Sequence, residues 1–549
     1  VTQTFGNMVP FEYTECAFDN EARWLEHVRN NFESENIGKD SNLSWGAYHA
    51  SKYDDENKPL CSMTLLPLFE EKSSTVSMIQ HSMKVVKSAT DYLNPGQTPV
   101  LALDQPLFAL AKLIQWNYPE QYGEDKYVAM FGGLHVEMTL LKIAGEWLDK
   151  TGWTEALELS GIATEGSADS FTKGSHVTKC RHAHQVTAAA LYILQHMAYD
   201  MYCETVLLGE PSDFNDWCKE MCDDQPQFMF WNRTLQLELS ILEFVKSIRE
   251  AKFDNYVKSL TNLMPWVFAL DHTHYSRWLS VHLRDMKDLP NSNPDVFQQF
   301  KEGLFVAHKT DNPFANIALD QSHEQMNAHL KGDGGIVGIT ENAQALQRWS
   351  LAGPEVARMI EEFELISNIS TDSPKGRHHE QTKATQQKFA EETRKLVQTM
   401  LSMGNPFLED SGDLYNISSK DILGETVVNS MEKVTEIGKD RCNGFVKERF
   451  IERQKDIKAS IPNAKLKLFR TPETTAAPKY KAQLAATRSE SVLFSRMYIS
   501  CQTRDGDMDT FFKYENQPYP PSISDLGNLR QGDKAGLVHC LELRARSTT

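Results

Sequence analysis

The sequence predicts an α/β fold with a mixed sheet, a large all-helical insertion and a helical C-terminal region. Short apolar runs alternate with helical segments between residues 99 and 148, which is the pattern of strands joined by crossover helices. Between residues 152 and 290 nearly every segment has helical periodicity, which indicates an insertion without strands. No internal repeat of fixed period occurs, so the sequence excludes solenoids and propellers.

The length of the chain predicts more than one structural unit. A chain of 549 residues exceeds what one hydrophobic core usually serves, so we expect two or three units. The patterns divide it into an N-terminal segment (1–40), the first part of the sheet core (41–150), the helical insertion (151–310), the return to the core with the following helices (311–405) and a helical, locally basic C-terminal region (406–549).

The sheet core is predicted to begin with two extended segments and a helix. Residues 42–50 (NLSWGAYHA) and 61–69 (CSMTLLPLF) have the composition of strands in a meander. Residues 74–92 follow with the periodicity of an amphipathic helix and with a Ser/Thr start. We therefore expect the first strands of the sheet before residue 70.

Two continuous apolar runs are predicted as the central strands. The first, residues 99–103, follows a turn signal, and the second occupies residues 127–134. A helical segment at 107–116 separates them, and another helix is predicted at 136–148. Because a helix between two strands makes a right-handed crossover, we predict that the two runs are parallel strands of one sheet.

The rest of the chain is predicted to be largely helical, with a charged linker near residues 372–379 and an irregular stretch at 461–486. Further helices are predicted at residues 21–32, 186–206, 233–249, 253–263, 275–286, 320–331, 342–363, 381–403 and 426–461.

The charge of the chain is uneven along its length. The net charge of −18 argues against a protein that coats nucleic acid, because such proteins usually present a basic surface. Residues 439–496, however, contain 14 Lys or Arg against 6 Asp or Glu. This segment is a candidate nucleic-acid contact, and a solvated helical face is the alternative interpretation. The candidate contact residues are Arg277, Lys331, Lys447, Arg449, Arg453, Lys455 and Lys458.

Cysteine usage and hydropathy indicate the environment of the protein. Nine cysteines, an odd number spread thinly along the chain, are typical of reduced thiols inside cells. The longest apolar stretch, near residues 187–199, is too short to span a membrane. We therefore expect a soluble intracellular protein, nuclear if it acts on DNA. Cys218 and Cys222, with the nearby histidines, match no standard zinc spacing, so zinc is not expected.

A polar residue follows each of the two central apolar runs. Asp104 comes directly after the first run, and His135 ends the second. Because parallel strands end at the same edge of a sheet, we expect these two side chains to lie close together. Asp104 is equally a candidate helix cap, since Gln-Pro follows it. The two glycines before His135 allow the close approach of a ligand or of a neighbouring helix.

Further candidate residues lie outside the two strands. The predicted helix at 320–331 carries a polar stripe that contains Asp320 and Glu324, and a solvent-facing stripe is the alternative interpretation. Its His323 and His329 are six residues apart, which excludes the HExxH metalloprotease motif. The Gly-rich segment KGDGGIVG follows a helix and fits no dinucleotide or P-loop fingerprint, so no nucleotide cofactor is expected. Asp271, in DHTHYSRW, is a candidate cap or a candidate site residue.

In order and spacing, the chain from residue 42 to about 331 resembles DDE transposases of the Mutator-like and hAT groups. The matching segments are LALDQPLFALAKLIQWNYPEQ, YVAMFGGLH and, after the helical insertion, the helix that contains Glu324. The resemblance implies a ribonuclease H-like core with Asp104 and Glu324 as metal-binding catalytic carboxylates and His135 as the strand-end His. The family's first carboxylate is missing from residues 42–50, and the candidates to replace it are Asp40, Asp54, Asp55 and Asp271.

The resemblance also implies an activity and partners. DDE enzymes cleave and transfer DNA strands, and the ions expected here are Mg²⁺ or Mn²⁺, which carboxylate oxygens bind. DNA would be the partner, together with further copies of the chain, and no membrane is implied. The missing carboxylate also fits a domesticated copy without activity. The alternative from another class is a non-catalytic, mostly helical interaction protein in which Asp104 is a cap and His135 is structural.

Overall fold

The structure, a computed structural model, describes residues 10–13, 19–34, 36–53, 60–62, 74–205, 211–331, 359, 378–408, 412–464, 466–470, 474–475, 524–525 and 528–529. The chain divides into two compact units, Val1–Ala477 and Pro478–Thr549. No helix among these residues is long and apolar enough to cross a membrane.

The first unit begins with helices and a small parallel sheet. Three helices, α1 (Asp19–Asn31), α2 (Trp45–Lys52) and α3 (Val76–Leu93), precede strand β1 (Val100–Leu103). Helices α4 (Gln105–Asn117) and α5 (Pro119–Tyr122) connect it to strand β2 (Val128–Phe131). The strands pair in parallel, with Val100 opposite Val128 and Leu103 opposite Phe131. The predicted parallel pairing of the two apolar runs is therefore confirmed.

The helices that follow β2 form most of the first unit. They are α6 (Gly133–Leu148), α7 (Trp153–Leu159), α8 (Glu165–Phe171), α9 (Val177–Thr205), α10 (Phe214–Asp224), α11 (Pro226–Arg249), α12 (Phe253–Ala269), α13 (Thr273–Ser292), α14 (Pro294–Lys301) and α15 (Leu319–Lys331). Between α7 and α13, the described residues contain no strand, as the periodicity predicted. Helix α11 is buried along most of its length and packs against α6, α9 and α12.

The last part of the first unit returns to the same core. A 3₁₀ turn (His379–Gln381) leads into α16 (Lys383–Met403), followed by strand β3 (Ile422–Leu423) and helices α17 (Glu425–Glu432) and α18 (Val434–Val446). Strand β3 pairs antiparallel with β4 (Thr474–Thr475). The described part of the second unit is an antiparallel pair, β5 (Ser524–Asp525) with β6 (Asn528–Leu529).

The prediction of a ribonuclease H-like mixed sheet is wrong. Among the residues described, the protein is mostly helical, and its parallel sheet has two strands. Residues 42–50, predicted as a strand, contain residues 45–50 of the helix α2 instead. Residues 61–69, predicted as the second strand, lie outside the described residues except for 61–62, which are not in a strand. The predicted helix at 342–363 lies outside them except for residue 359.

Distant residues explain why α2 is a helix. Its Trp45 and His49, one turn apart, are 0% and 3% exposed, so one face of the helix enters the core. Gln386 Oε1 accepts from the Leu43 and Ser44 N–H groups at 2.5 and 3.1 Å. Glu380 Oε2 accepts from the Gly46 N–H at 2.9 Å. The free N–H groups at the start of α2 are therefore satisfied by residues more than 300 positions away.

Helices α12 and α18 approach each other most closely at Gly438. A Cβ atom at this position would collide with the backbone carbonyl of Pro265. We expect Gly438→Ala to lower the free energy of unfolding by about 1–3 kcal/mol, because packed backbones cannot separate without loss of contacts. Urea denaturation measures this change. The control is Gly444→Ala in the same helix, where a Cβ would meet nothing within 4 Å. Equal stability of the two variants would contradict the prediction.

Candidate functional site

The two parallel strands end at one edge of the small sheet, and the predicted residues Asp104 and His135 lie there. Asp104 follows β1 directly and caps α4, since its Oδ1 accepts from the Leu107 N–H at 3.1 Å. His135 lies in the first turn of α6, just after β2. Both side chains are partly buried. Asp104 is therefore a helix cap, and its carboxylate remains partly accessible to solvent.

A second carboxylate, Asp320, reaches this edge from α15. It accepts hydrogen bonds from the Leu134 N–H at 3.0 Å, the His135 N–H at 3.1 Å and His135 Nδ1 at 2.9 Å. Asp320 thus satisfies two of the free N–H groups at the start of α6 and orients the His135 ring. A Cβ at Gly132 would collide with the Asp320 carboxylate. The two glycines before His135 therefore make room for a neighbouring helix.

The opposite charges of His135 and Asp320 stabilise each other. The hydrogen bond that His135 donates to Asp320 raises the pKa of His135 above its usual value, against the opposing effect of burial. Asp104 and Glu324 also lie close enough for their negative charges to raise it. Burial would raise the pKa of Asp320, but the hydrogen bonds from His135 and Leu134 hold it below its usual value. The edge thus favours an ionised Asp320 beside a positively charged His135.

Glu324 and Tyr275 complete the group, which we call the acidic edge: Asp104, His135, Asp320, Glu324 and Tyr275. Glu324 is exposed on α15, one turn after Asp320. The Tyr275 ring, from α13, packs 5.6 Å from that of Phe131 at the end of β2. Burial raises the pKa of Tyr275, and the charges of Asp104 and Asp320 add to this effect. Residues from four separate segments therefore meet at this edge.

The donor atoms at the acidic edge are of the type that hard cations bind. Mg²⁺ keeps several waters and is usually held by one or two carboxylates, which Asp104 and Glu324 supply. The carboxylates of the acidic edge do not, however, form a compact group of three ligand atoms. Within the described parts of the chain, one group of three His, Cys, Asp or Glu side chains has its ligand atoms within 4.8 Å of one another: His378, His379 and Glu380. The acidic edge therefore fits a hydrated Mg²⁺ or Mn²⁺ in donor type.

The other candidates for a first carboxylate are placed differently. Asp271 lies between α12 and α13 with φ of 58°. Its Oδ1 accepts from the Ala464 N–H at 2.7 Å and pairs with Arg441 at 3.0 Å, so it anchors the C-terminal part of the first unit. Asp40 lies in a turn before α2. Asp54 and Asp55 lie outside the described residues.

Two of the predicted nucleic-acid contacts make internal contacts. Arg277 donates to the Ala459 carbonyl at 2.9 Å, and Arg449, which is 4% exposed, donates to the Ser460 carbonyl at 3.2 Å. The Arg277 bond attaches the turn after α18 to α13, and the Arg449 bond lies within the segment that follows α18. Lys331 ends α15, and its side chain lies outside the described residues. The exposed members of the predicted set are Lys447, Arg453, Lys455 and Lys458.

Comparison with known proteins gives a family without a known function. The family described as a domain of unknown function, DUF8702, matches residues 44–206 and 194–515. Neither the curated proteins nor the solved structures contain a match. Because the two matched ranges cover more than half of the chain, the protein belongs to the DUF8702 family.

Proposed function

We propose that the protein cleaves phosphodiester bonds in DNA, and transfers the strands, at the acidic edge. One observation carries this proposal: three carboxylates and an imidazole held by one of them meet where two parallel strands end. Such groups of carboxylates and a positioned base are typical of active sites. A protein that acts on DNA in this way would work in the nucleus.

The residues of the acidic edge would have different roles in phosphodiester cleavage. Asp104 and Glu324 would hold the ion, and a bound Mg²⁺ or Mn²⁺ would neutralise charge on the phosphate and activate the attacking oxygen. Asp320 fixes the His135 ring through Nδ1. No described residue forms a hydrogen bond with His135 Nε2, which leaves that atom free to exchange a proton with the substrate. His135 is therefore the proposed proton carrier, and Asp320 its positioning residue.

An exposed basic segment that is attached to α13, the helix that also carries Tyr275, supports DNA as the substrate. Arg277 lies two residues after Tyr275 on α13 and holds the turn that follows α18. This turn carries Lys447, Arg453, Lys455 and Lys458, all of them exposed. Lys447 pairs with Glu452 at 3.5 Å, and Lys455 pairs with Glu448 at 2.9 Å. Such exposed pairs are weak, so phosphate groups can compete for these side chains.

Nicking of supercoiled plasmid by the full chain, with and without Mg²⁺ or Mn²⁺, tests the proposal. We expect Glu324→Gln and Asp104→Asn each to reduce metal-dependent nicking by about 100-fold, because a carboxylate that binds the ion is lost. Glu324 is exposed, and asparagine at position 104 retains the ability to cap α4, so both variants should fold. Glu302→Gln, which replaces an exposed acid directly after α14, is the control.

Two outcomes would count against the proposal. Nicking that persists in Glu324→Gln would place the activity elsewhere. A folded wild-type chain that neither nicks DNA nor binds Mn²⁺ would favour the non-catalytic interaction protein.

A further inference from the structure

The first unit contains a cavity of about 760 Å³, a volume typical of small-molecule sites. It lies between α9, α11, α16 and the segment before α15. Four cationic side chains line it against three acidic ones, although the whole chain carries a net charge of −18. The cationic residues are Lys179, Arg181, Arg249 and Lys388, and the acidic residues are Glu137, Glu380 and Glu392.

One of the two arginines in the cavity is fully paired. Arg181 donates to Glu137 through two bonds, Nε to Oε1 at 2.5 Å and Nη2 to Oε2 at 2.9 Å. Both side chains are buried. This two-pronged contact uses both oxygens of Glu137, so Glu137 has little capacity to neutralise another cation.

Arg249, at the end of α11, is poorly paired by comparison. Its Nη1 lies 3.7 Å from Glu380 Oε1, which is longer than a hydrogen bond between charged groups. The other oxygen of Glu380, Oε2, accepts from the Gly46 N–H at 2.9 Å. The guanidinium is held over two aromatic rings, 5.2 Å from the centre of Trp45 and 5.4 Å from that of Phe314. Within the part of the chain that the structure describes, it is thus fixed in place with most of its donors unused.

The remaining contact of Arg249 does not satisfy it. Nη1 lies 3.5 Å from His378 Nε2. His378 Nδ1 already accepts from the Glu380 N–H at 3.2 Å, so the proton of the neutral ring is on Nε2 and faces another donor. Burial lowers the pKa of His378 to about 3, so the ring is neutral at physiological pH. Burial, together with the positive charge of Arg181, also lowers the pKa of Arg249 to about 10.

We propose that the cavity binds an oxyanion, the carboxylate or phosphate group of a small polar ligand, through the planar fork of Arg249. The fork matches both groups in geometry, and Lys179 and Lys388 add positive charge around the entering ligand. No catalytic residue of the acidic edge lines this cavity. The proposal therefore stands independently of the DNA cleavage proposed above.

The same cavity contains the His378, His379 and Glu380 group, whose donor atoms also suit a transition metal. An anion is favoured because the Arg249 guanidinium lies within 3.7 Å of two of those three side chains and would repel a divalent cation. In addition, His378 Nδ1 is already occupied.

Isothermal titration of the full chain with inorganic phosphate, and separately with succinate, tests the proposal. We expect saturable binding of at least one anion, and the tighter of the two identifies phosphate or carboxylate chemistry. Arg249→Gln should weaken it by about 10- to 100-fold, the effect of losing a charged hydrogen-bonded pair. Lys388→Glu should weaken it by about 3-fold. Lys395→Glu, on the same helix but outside the cavity, should bind as the wild type does.

The comparison on α16 keeps the test decisive if Arg249→Gln does not fold, because Lys388 is 68% exposed and Lys395 51%. Equal binding by the two α16 variants would overturn the proposal, and so would a wild-type chain that binds neither anion. Stoichiometric Zn²⁺ binding that is lost in His379→Ala would overturn it in favour of a metal site.

Discussion

Replacing Glu238 with leucine is expected to lower the free energy of unfolding by about 3–5 kcal/mol. Glu238 Oε1 lies 2.8 Å from His184 Nδ1, and both side chains are 1% exposed. The pair joins α11 to α9, and the His184 ring also stacks on Trp153 with centroids 5.1 Å apart. Loss of the carboxylate leaves a buried imidazole without its counter-charge, which is the costly way to break such a pair. Urea denaturation at pH 7 measures the loss.

The pH dependence of this effect has a definite sign. Burial alone would lower the pKa of His184, but the charge of Glu238 outweighs it and raises the pKa to about 10. A group whose pKa is raised on folding stabilises the native state fully below its unfolded pKa, about 6.5 for histidine. This contribution is lost as the pH rises through the folded value. The difference in stability between wild type and Glu238→Leu should therefore shrink from pH 7 to pH 10.

Two further variants distinguish the loss of the His184–Glu238 ion pair from a loss of side-chain packing. The double variant His184→Leu with Glu238→Leu should be more stable than Glu238→Leu alone, because apolar residues replace a buried ion pair at little cost. Glu391→Gln, which breaks an exposed pair with Lys395 on α16, should unfold as the wild type does. The prediction fails if the single and double variants are equally destabilised.

The sequence predicted the local elements of the fold better than its class. Continuous apolar runs flanked by helical segments identified both central strands, of which β2 is buried along its length and β1 is partly buried. Residues 42–50 were misassigned because the residues that satisfy the start of α2, Glu380 and Gln386, are distant in sequence. Two parallel strands and a crossover helix occur in many folds, so correct local elements did not determine the ribonuclease H-like class.

The sequence likewise predicted only part of the candidate site. The shared direction of the strands was enough to bring Asp104 and His135 together, and the resemblance added Glu324. Asp320 was seen as part of a polar stripe and not as a site residue, because a sequence does not show which member of a stripe is buried. The surroundings of Arg249 were equally hidden, since Trp45, Phe314 and Glu380 come from three distant segments.

Asp320→Ala is expected to lower the free energy of unfolding by about 3 kcal/mol and to lower the pKa of His135. The variant leaves the Leu134 and His135 N–H groups at the start of α6 without their acceptor. The hydrogen bond that His135 donates to Asp320 is also the main reason that the pKa of His135 is raised. Urea denaturation measures the first effect, and the His135 ring signals in an NMR titration measure the second.

The pH dependence of stability and of nicking shows whether Asp320 positions His135 or only caps α6. The His135–Asp320 pair stabilises the native state fully at pH values above the usual pKa of aspartate and below 6.5, and loses this effect as the pH rises through the raised pKa of His135. If His135 carries the proton in DNA cleavage, Asp320→Ala should shift the pH dependence of nicking in parallel with the pKa of His135. Asp311→Ala, an exposed acid before α15, should shift neither. A variant that is destabilised but keeps the wild-type pH profile would show that Asp320 only caps α6, and His135 would lose its proposed role.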